Sequence, residues 1–148
     1  MILRDYQEDA LNRARLSMRQ GHQRPLLMAP TGAGKTAIAV ELIRSALAKG
    51  SRVIFTVDRL QLIEQTAEVF DKAGLEFGII QGINERMNIS APLQLASVQT
   101  LTRRSTLPEV DLIINDECFT AGTLIETPKG TIPIDKLRTG DIIYNATG

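Results

Sequence analysis

The segment Ala29-Pro30-Thr31-Gly32-Ala33-Gly34-Lys35-Thr36 constrains this chain more than any other. It follows a short apolar run, Pro25 to Met28, and precedes a stretch of helical periodicity, so it reads as a glycine-rich turn between a strand and a helix. Gly32 and Gly34 let backbone N–H groups close around phosphate oxygens, and the following helix directs its positive N-terminal end at them. Lys35 can reach the β- and γ-phosphates, and the Thr36 hydroxyl can ligate Mg²⁺. The strict form of such a loop begins with glycine; here Ala29 takes that place. The competing reading is a glycine-rich turn carrying a surface lysine.

The elements on either side fit an α/β fold. Tyr6, Ala10, Leu11, Ala14 and Met18 mark a helix over 5–19 that Gly21 ends. Ile38, Leu42, Ile43, Ala46 and Leu47 mark another over 36–49, stopped by Gly50. A β-branched and aromatic run, 52–57, reads as a buried strand, and Leu60, Ile63, Ala67 and Phe70 as the next helix, closed by Gly74. Further strands are expected over 77–80, 93–96 and 111–115, with a loop over 82–91. Strands alternating with helices imply βαβ units and a parallel sheet covered on both faces.

After residue 117 the texture changes. Helical periodicity stops, and short strand-like runs over 123–127, 131–134 and 142–144 are separated by Pro128-Lys129-Gly130 and Thr139-Gly140. The shift puts a boundary at 117/118, dividing the chain into 1–117, an incomplete parallel sheet with flanking helices, and 118–148, a short all-β fragment.

Composition narrows the setting. The 148 residues are 43% hydrophobic and 23% charged, as in an ordinary globular protein. With 17 basic and 17 acidic residues the net charge is zero, so any nucleic-acid binding must rest on local geometry. One cysteine excludes an internal disulfide and fits a reducing compartment. No apolar run reaches transmembrane length, and Met1-Ile2-Leu3-Arg4-Asp5 lacks a signal-peptide pattern. A cytoplasmic protein without a membrane partner is expected.

A triphosphate site also needs an acidic partner on a neighbouring strand. The run 111–115 followed by Asp116-Glu117 offers one: Asp116 would hold Mg²⁺ and Glu117 would orient and deprotonate the attacking water. An acidic turn after an edge strand is the bland alternative.

Taken in order, these segments resemble the N-terminal motor domain of superfamily 2 helicases, the DEAD/DEAH-like group with a RecA-like fold. Leu3-Arg4-Asp5-Tyr6-Gln7 resembles the family's adenine-reading segment, which implies that role for Gln7 with Arg4 nearby. The loop at 29–36 resembles motif I, including its first alanine, and implies ATP binding by Thr31, Gly32, Ala33, Gly34, Lys35 and Thr36. Residues 57–66, VDRLQLIEQT, resemble motif Ia, with Asp58 where proline is common; residues 96–104, ASVQTLTRR, resemble motif Ib; Asp116-Glu117 opens motif II. The resemblance implies ATP and Mg²⁺ as cofactors, Lys35 and Glu117 as catalytic residues, and Arg59, Ser97, Gln99 and Thr100 as contacts to one nucleic-acid strand; DNA is expected ahead of RNA, a choice the sequence itself does not make. Arg59, Arg103 and Arg104 can equally be read as solvated charges.

In that family motif II continues with a pair such as Ala-His or Cys-His. Here Cys118-Phe119 follows, and then a run from Gly122 to Tyr144 resembling the N-terminal block of inteins and related Hint modules. It has a nucleophile at the first position, a G-T-x-I-x-T strand, a turn at Gly130, and Ile134, Leu137, Gly140 and Asp141 in the I-x-x-L-x-x-G-D spacing. Cys118 Sγ would attack the Glu117 carbonyl to form a thioester. No histidine follows His22, so the family's TxxH block and terminal His-Asn pair must come from elsewhere. The fragment is either one half of a split intein, whose partner is a complementary chain carrying the rest of the intein and the remaining helicase motifs with an extein beginning Cys-His, or a truncated copy of a contiguous intein. Alone, the chain is expected to be inactive. The rival reading is a stand-alone ATP-binding module with an unrelated β tail and no splicing activity.

Overall fold

The computed structural model describes residues 3–27, 29, 32–82, 84–116, 124–128, 130–133 and 136. The chain divides into two compact units, Met1–Glu117 and Cys118–Gly148. In the first, helices α1 (Asp5–Arg19) and α2 (Lys35–Leu47) lead into strand β1 (Val53–Val57), helix α3 (Gln61–Lys72), strands β2 (Gly78–Ile80) and β3 (Leu93–Ser97), the short helix α4 (Val98–Thr102) and strand β4 (Leu112–Asn115). The four strands form one parallel sheet in the order β2-β3-β1-β4. The α/β class and the parallel sheet with flanking helices are as the alternation of elements implies.

The core follows from the patterning. β1 and β3 are buried along their whole length, as central parallel strands are. On one face Val53, Phe55, Val57, Leu93 and Leu95 pack against Val40 and Ile43 of α2 and Ile63, Ala67 and Phe70 of α3. Phe70 stands edge-on to both Phe55 and Phe77, with ring centroids 5.4 and 5.3 Å away. The opposite face is much thinner: Ile54, Ile80 and Ala96 are met by Leu101 and Val110. Among the described residues, both faces thus carry apolar cover, the second less of it than the first. The described residues place the long helices α2 and α3 on one side, and Ile113 on β4 is 60% exposed.

Helix ends behave as their residues dictate. α1 carries Asp5 and Glu8 in its first turn and Arg19 in its last, matching the helix dipole. Gly50 and Gly74, at φ +76° and +67°, close α2 and α3, and Ser51 N–H and Leu75 N–H donate back to Ala46 and Phe70 carbonyls. α2 begins one residue earlier and ends two earlier than its periodicity suggests. Of the run Pro25 to Met28, read from sequence as the strand before the glycine-rich turn, residues 25–27 join no strand and Met28 lies outside the described residues; Leu26 is half exposed. Pro25 offers no backbone N–H for a ladder, which removes one bond from so short a run.

The β2–β3 connection, residues 81–92, has the length that a parallel crossover requires and contains no helix among its described residues. Side chains hold it instead. Buried Gln94 donates to the carbonyls of Asn88 (2.9 Å) and Ala91 (2.7 Å), and Ile79 N–H donates to the Arg86 carbonyl at 3.0 Å. Arg86 makes a two-pronged pair with Asp71 (2.7 and 2.8 Å) and lies 4.4 Å from the centre of the Phe77 ring.

In the second unit β5 (Leu124–Thr127) and β6 (Gly130–Pro133) form an antiparallel hairpin, with Thr127 opposite Gly130. The Thr127 hydroxyl donates to the Gly130 carbonyl at 2.6 Å, and Gly130 has φ +104°. Two of the three strand-like runs thus form strands, each starting one residue from its expected position; the run at 142–144 lies outside the described residues. No described helix is long and apolar enough to cross a membrane.

Candidate nucleotide site and splice junction

The glycine-rich turn is built by backbone geometry. Gly32 and Gly34 lie at φ +81° and +75°, a region in which other L-residues are strained. Ala37 N–H donates to the Gly34 carbonyl at 2.9 Å, so the turn passes directly into α2. Lys35 and Thr36 therefore occupy the first helical turn, where N–H groups lack intrahelical partners. Thr31 lies outside the described residues.

The N-terminal segment meets this turn at one atom. Gln7, 6% exposed, donates through Nε2 to the Ala33 carbonyl at 2.8 Å while its Oε1 accepts the Arg4 backbone N–H at 2.9 Å. The Tyr6 hydroxyl donates to the same Ala33 carbonyl at 3.1 Å, and Arg4 Nη1 donates to Tyr6 Oη at 3.4 Å. Both halves of the Gln7 amide are thus engaged with protein. A Cβ on Gly34 would collide with Gln7 Nε2. Tyr6 belongs to this cluster although its sequence spacing placed it among apolar helix positions; the signal was its seat between Arg4 and Gln7.

The C-terminal edge of the sheet gathers the remaining candidates, as the carboxyl ends of parallel strands do in open α/β folds. In register, Val57 lies beside Ser97 and Thr56 beside Asn115, so Arg59, the 97–100 turn and Asp116 all follow strand ends on one edge. Arg59 is exposed, with Nε 3.5 Å from the Asp58 carboxylate. Ser97 is fully buried; its Oγ accepts the Thr100 N–H at 3.1 Å and hydrogen-bonds Thr100 Oγ1 at 2.9 Å, capping α4. Gln99 and Thr100 line a hollow of about 280 Å³ with Leu60, Gly82, Arg103 and Arg104. The two arginines, read from sequence as possible surface charges, share that hollow because one helical turn carries Gln99 to Arg103.

Asp116 follows β4 directly. Its N–H donates to the Thr56 carbonyl at 3.0 Å, continuing the β1–β4 pairing one residue past the strand. Glu117 and Cys118, the other junction candidates, lie outside the described residues.

Comparison with known proteins gives two family matches that overlap over residues 117–127. A family profile for the type III restriction enzyme res subunit matches residues 1–127, and a Hint domain profile matches residues 117–148. The type I restriction enzyme EcoKI endonuclease subunit of Escherichia coli (strain K12) is 33% identical over 114 residues, covering 70% of this chain and 10% of that protein. The chain thus spans about a tenth of the length of this relative. With its parallel sheet, its glycine-rich turn opening α2 and a match over most of its length, the chain belongs to the helicase-like family of the type III restriction enzyme res subunit and carries a Hint, intein-type segment at its C-terminal end.

Proposed function

We propose that residues 1–117 are the N-terminal part of an ATP-dependent DNA helicase motor and that residues 118–148 are an intein N-terminal fragment. The observation that carries this reading is the overlap of the two family matches at 117–127, immediately after β4 delivers Asp116. An insertion there separates the first two acidic residues of motif II from whatever completes it.

The turn at 32–36 suits a triphosphate. Its two glycines at positive φ turn the chain compactly into α2, whose first-turn N–H groups suit anionic oxygens. Lys35 would pair with the outer phosphates, and Thr36 and Asp116 would hold Mg²⁺, which would draw charge from the phosphate oxygens. Gln7 would read adenine after exchanging one of its two protein bonds, with Arg4 and Tyr6 beside it. Glu117 would take a proton from the attacking water once a second motor domain closes the site.

Arg59, Gln99 and Thr100 would contact the backbone of one nucleic-acid strand, with Arg103 and Arg104 adding positive charge to the same hollow. Ser97, buried and bonded to Thr100, would shape that turn rather than touch the strand. Similarity to a restriction-enzyme subunit favours DNA over RNA. A cytoplasmic location suits both the motor and a free thiol.

Cys118 would form a thioester with Glu117, and a complementary chain would supply the rest of the Hint fold, with its histidine and terminal asparagine, and an extein beginning Cys-His. Ligation would restore Asp116-Glu117-Cys-His. The test is to mix the chain with that partner and search by mass spectrometry for a ligated product lacking 118–148. A partner extein beginning with a residue that is not a nucleophile would sink the splicing reading. ATP affinity measured on the ligated product should be lost in Lys35→Ala; retention would refute the nucleotide reading.

A further inference from the structure

We infer that the outer edge of β4, with the thinner face of the sheet around Ile113, is a docking surface for a helix–strand unit of the complementary chain, which binds there non-covalently. The inference rests on the reading that such a chain carries the remainder of the motor domain.

The two edges of the sheet differ. At the β2 edge the 81–92 connection folds back: Ile79 N–H donates to the Arg86 carbonyl at 3.0 Å, and the Asn88 carbonyl sits where a Cβ on Gly78 would collide with it. Among the described residues β4 has no such cover. Leu112 N–H and Asp116 N–H donate to the carbonyls of Arg52 and Thr56, at 3.2 and 3.0 Å. Residues of a parallel ladder face its two sides alternately, so Ile113 and Asn115 send their N–H and C=O groups outward, where no described strand receives them. Natural edges are blunted by devices such as proline, lysine or a bulge; Leu-Ile-Ile-Asn, in unbroken register with β1, has none of these.

Chain connectivity specifies the occupant. From β3 to β4 the chain steps across β1, and Leu101 and Val110 of that crossover lie on the thinner face, against Ile54, Ile80 and Ala96. A right-handed crossover that steps one strand further in the same direction lays its connection on the same face. Such a connection takes about a dozen residues or more and is usually a helix. Ile113 pairs with Ile54 and shares its face, yet it is 60% exposed, whereas parallel strands are ordinarily buried on both faces. One occupant thus satisfies both the unpaired edge and the bare side chain: an amphipathic helix over Ile113, followed by an apolar strand parallel to β4. The EcoKI subunit, of which the matched stretch is 10%, has chain beyond that stretch for such a unit. A second copy of this chain would pair β4 with itself and bring no crossover helix to Ile113.

The probe is the stretch of the EcoKI subunit that directly follows its matched residues, added to the full chain; strand addition works through backbone hydrogen bonds, so a related segment suffices. Amide exchange followed residue by residue should slow about tenfold or more at Ile113 and Asn115 when the probe is added, and stay unchanged at Phe55 in β1. Ile113→Lys should weaken probe binding about tenfold, the size of burying one such side chain, and Ile113→Leu should retain it. Ile113 is exposed, so neither change disturbs the core, and exchange at Phe55 checks the sheet in each variant. Unchanged exchange at Ile113 and Asn115 with the probe present, or parent affinity in Ile113→Lys, overturns the inference. So does slow exchange at both amides in the chain alone, since the chain then covers its own edge, and so does protection that grows with chain concentration, which assigns the edge to a second copy. The motor reading is tested separately: a ligated product whose ATP affinity does not depend on Lys35 refutes it, and the inference with it.

Discussion

Placing alanine at Gly34 tests the contact between the N-terminal segment and the glycine-rich turn. Two costs arise. Gly34 sits at φ +75°, and an L-residue there costs about 1–2 kcal/mol. The new Cβ would also occupy the position of Gln7 Nε2, forcing that amide off the Ala33 carbonyl. A buried donor left without its partner costs about 1–3 kcal/mol. Gly34→Ala should therefore lower the stability of the first unit by about 2–5 kcal/mol in urea denaturation followed by far-UV circular dichroism, a probe suited to a chain without tryptophan. Gly32 provides the control: φ is +81° and a Cβ there meets nothing within 4 Å, so Gly32→Ala should cost the strain alone, about 1–2 kcal/mol. In Gln7→Ala the obstacle is gone. The Gly34→Ala/Gln7→Ala pair should then cost less than the sum of its singles by about 1 kcal/mol or more. Additive costs, or equal losses for Gly32→Ala and Gly34→Ala, would refute the argument.

Phe70→Ala should destabilise the first unit by about 3–5 kcal/mol, because Phe70 is fully buried between two edge-on rings; a loss below about 1 kcal/mol in the same urea titration would contradict that packing. Gly78→Ala should cost about 1–3 kcal/mol, since its Cβ would meet the Asn88 backbone carbonyl, and it should speed amide exchange at Ile79 by loosening the 81–92 connection. The Arg86 guanidinium holds the Asp71 carboxyl below its ordinary 3.8, so the pair's contribution is present above that value and fades as pH falls through the lower, folded-state one. The stability advantage of the parent over Asp71→Asn should accordingly shrink on acidification below about pH 4, and an advantage unchanged there would count against the pair.

Much of the architecture was legible along the chain because the signals are local. Glycine punctuation at Gly50 and Gly74, apolar periodicity through Ile43 and Phe70, and the β-branched and aromatic run at 53–57 each depend on residues a few positions apart. The segment at 25–27 misled because an apolar run of this length is equally a strand or a packed coil, and pairing depends on a neighbour that sequence does not name. Burial along the second face is not legible for the same reason: Ile54, Ala96 and Ile113 are all apolar strand residues, yet the first two are buried and Ile113 is 60% exposed among the described residues.

For the site, residue types along the chain were enough to raise the glycine-rich turn, the acidic pair and the change of texture at residue 118, since each is a short pattern of side-chain chemistry. Tertiary structure alone decided how those groups are employed. It committed both ends of the Gln7 amide to Arg4 and Ala33, brought Tyr6 to the same carbonyl, buried Ser97 as a helix cap, and set Arg103 and Arg104 beside Gln99. It also joined Thr56 to Asn115 and Asp116 across 59 and 60 positions of sequence. Hydrogen bonds act over about 3 Å of space irrespective of separation along the chain, so their partners are chosen by the fold.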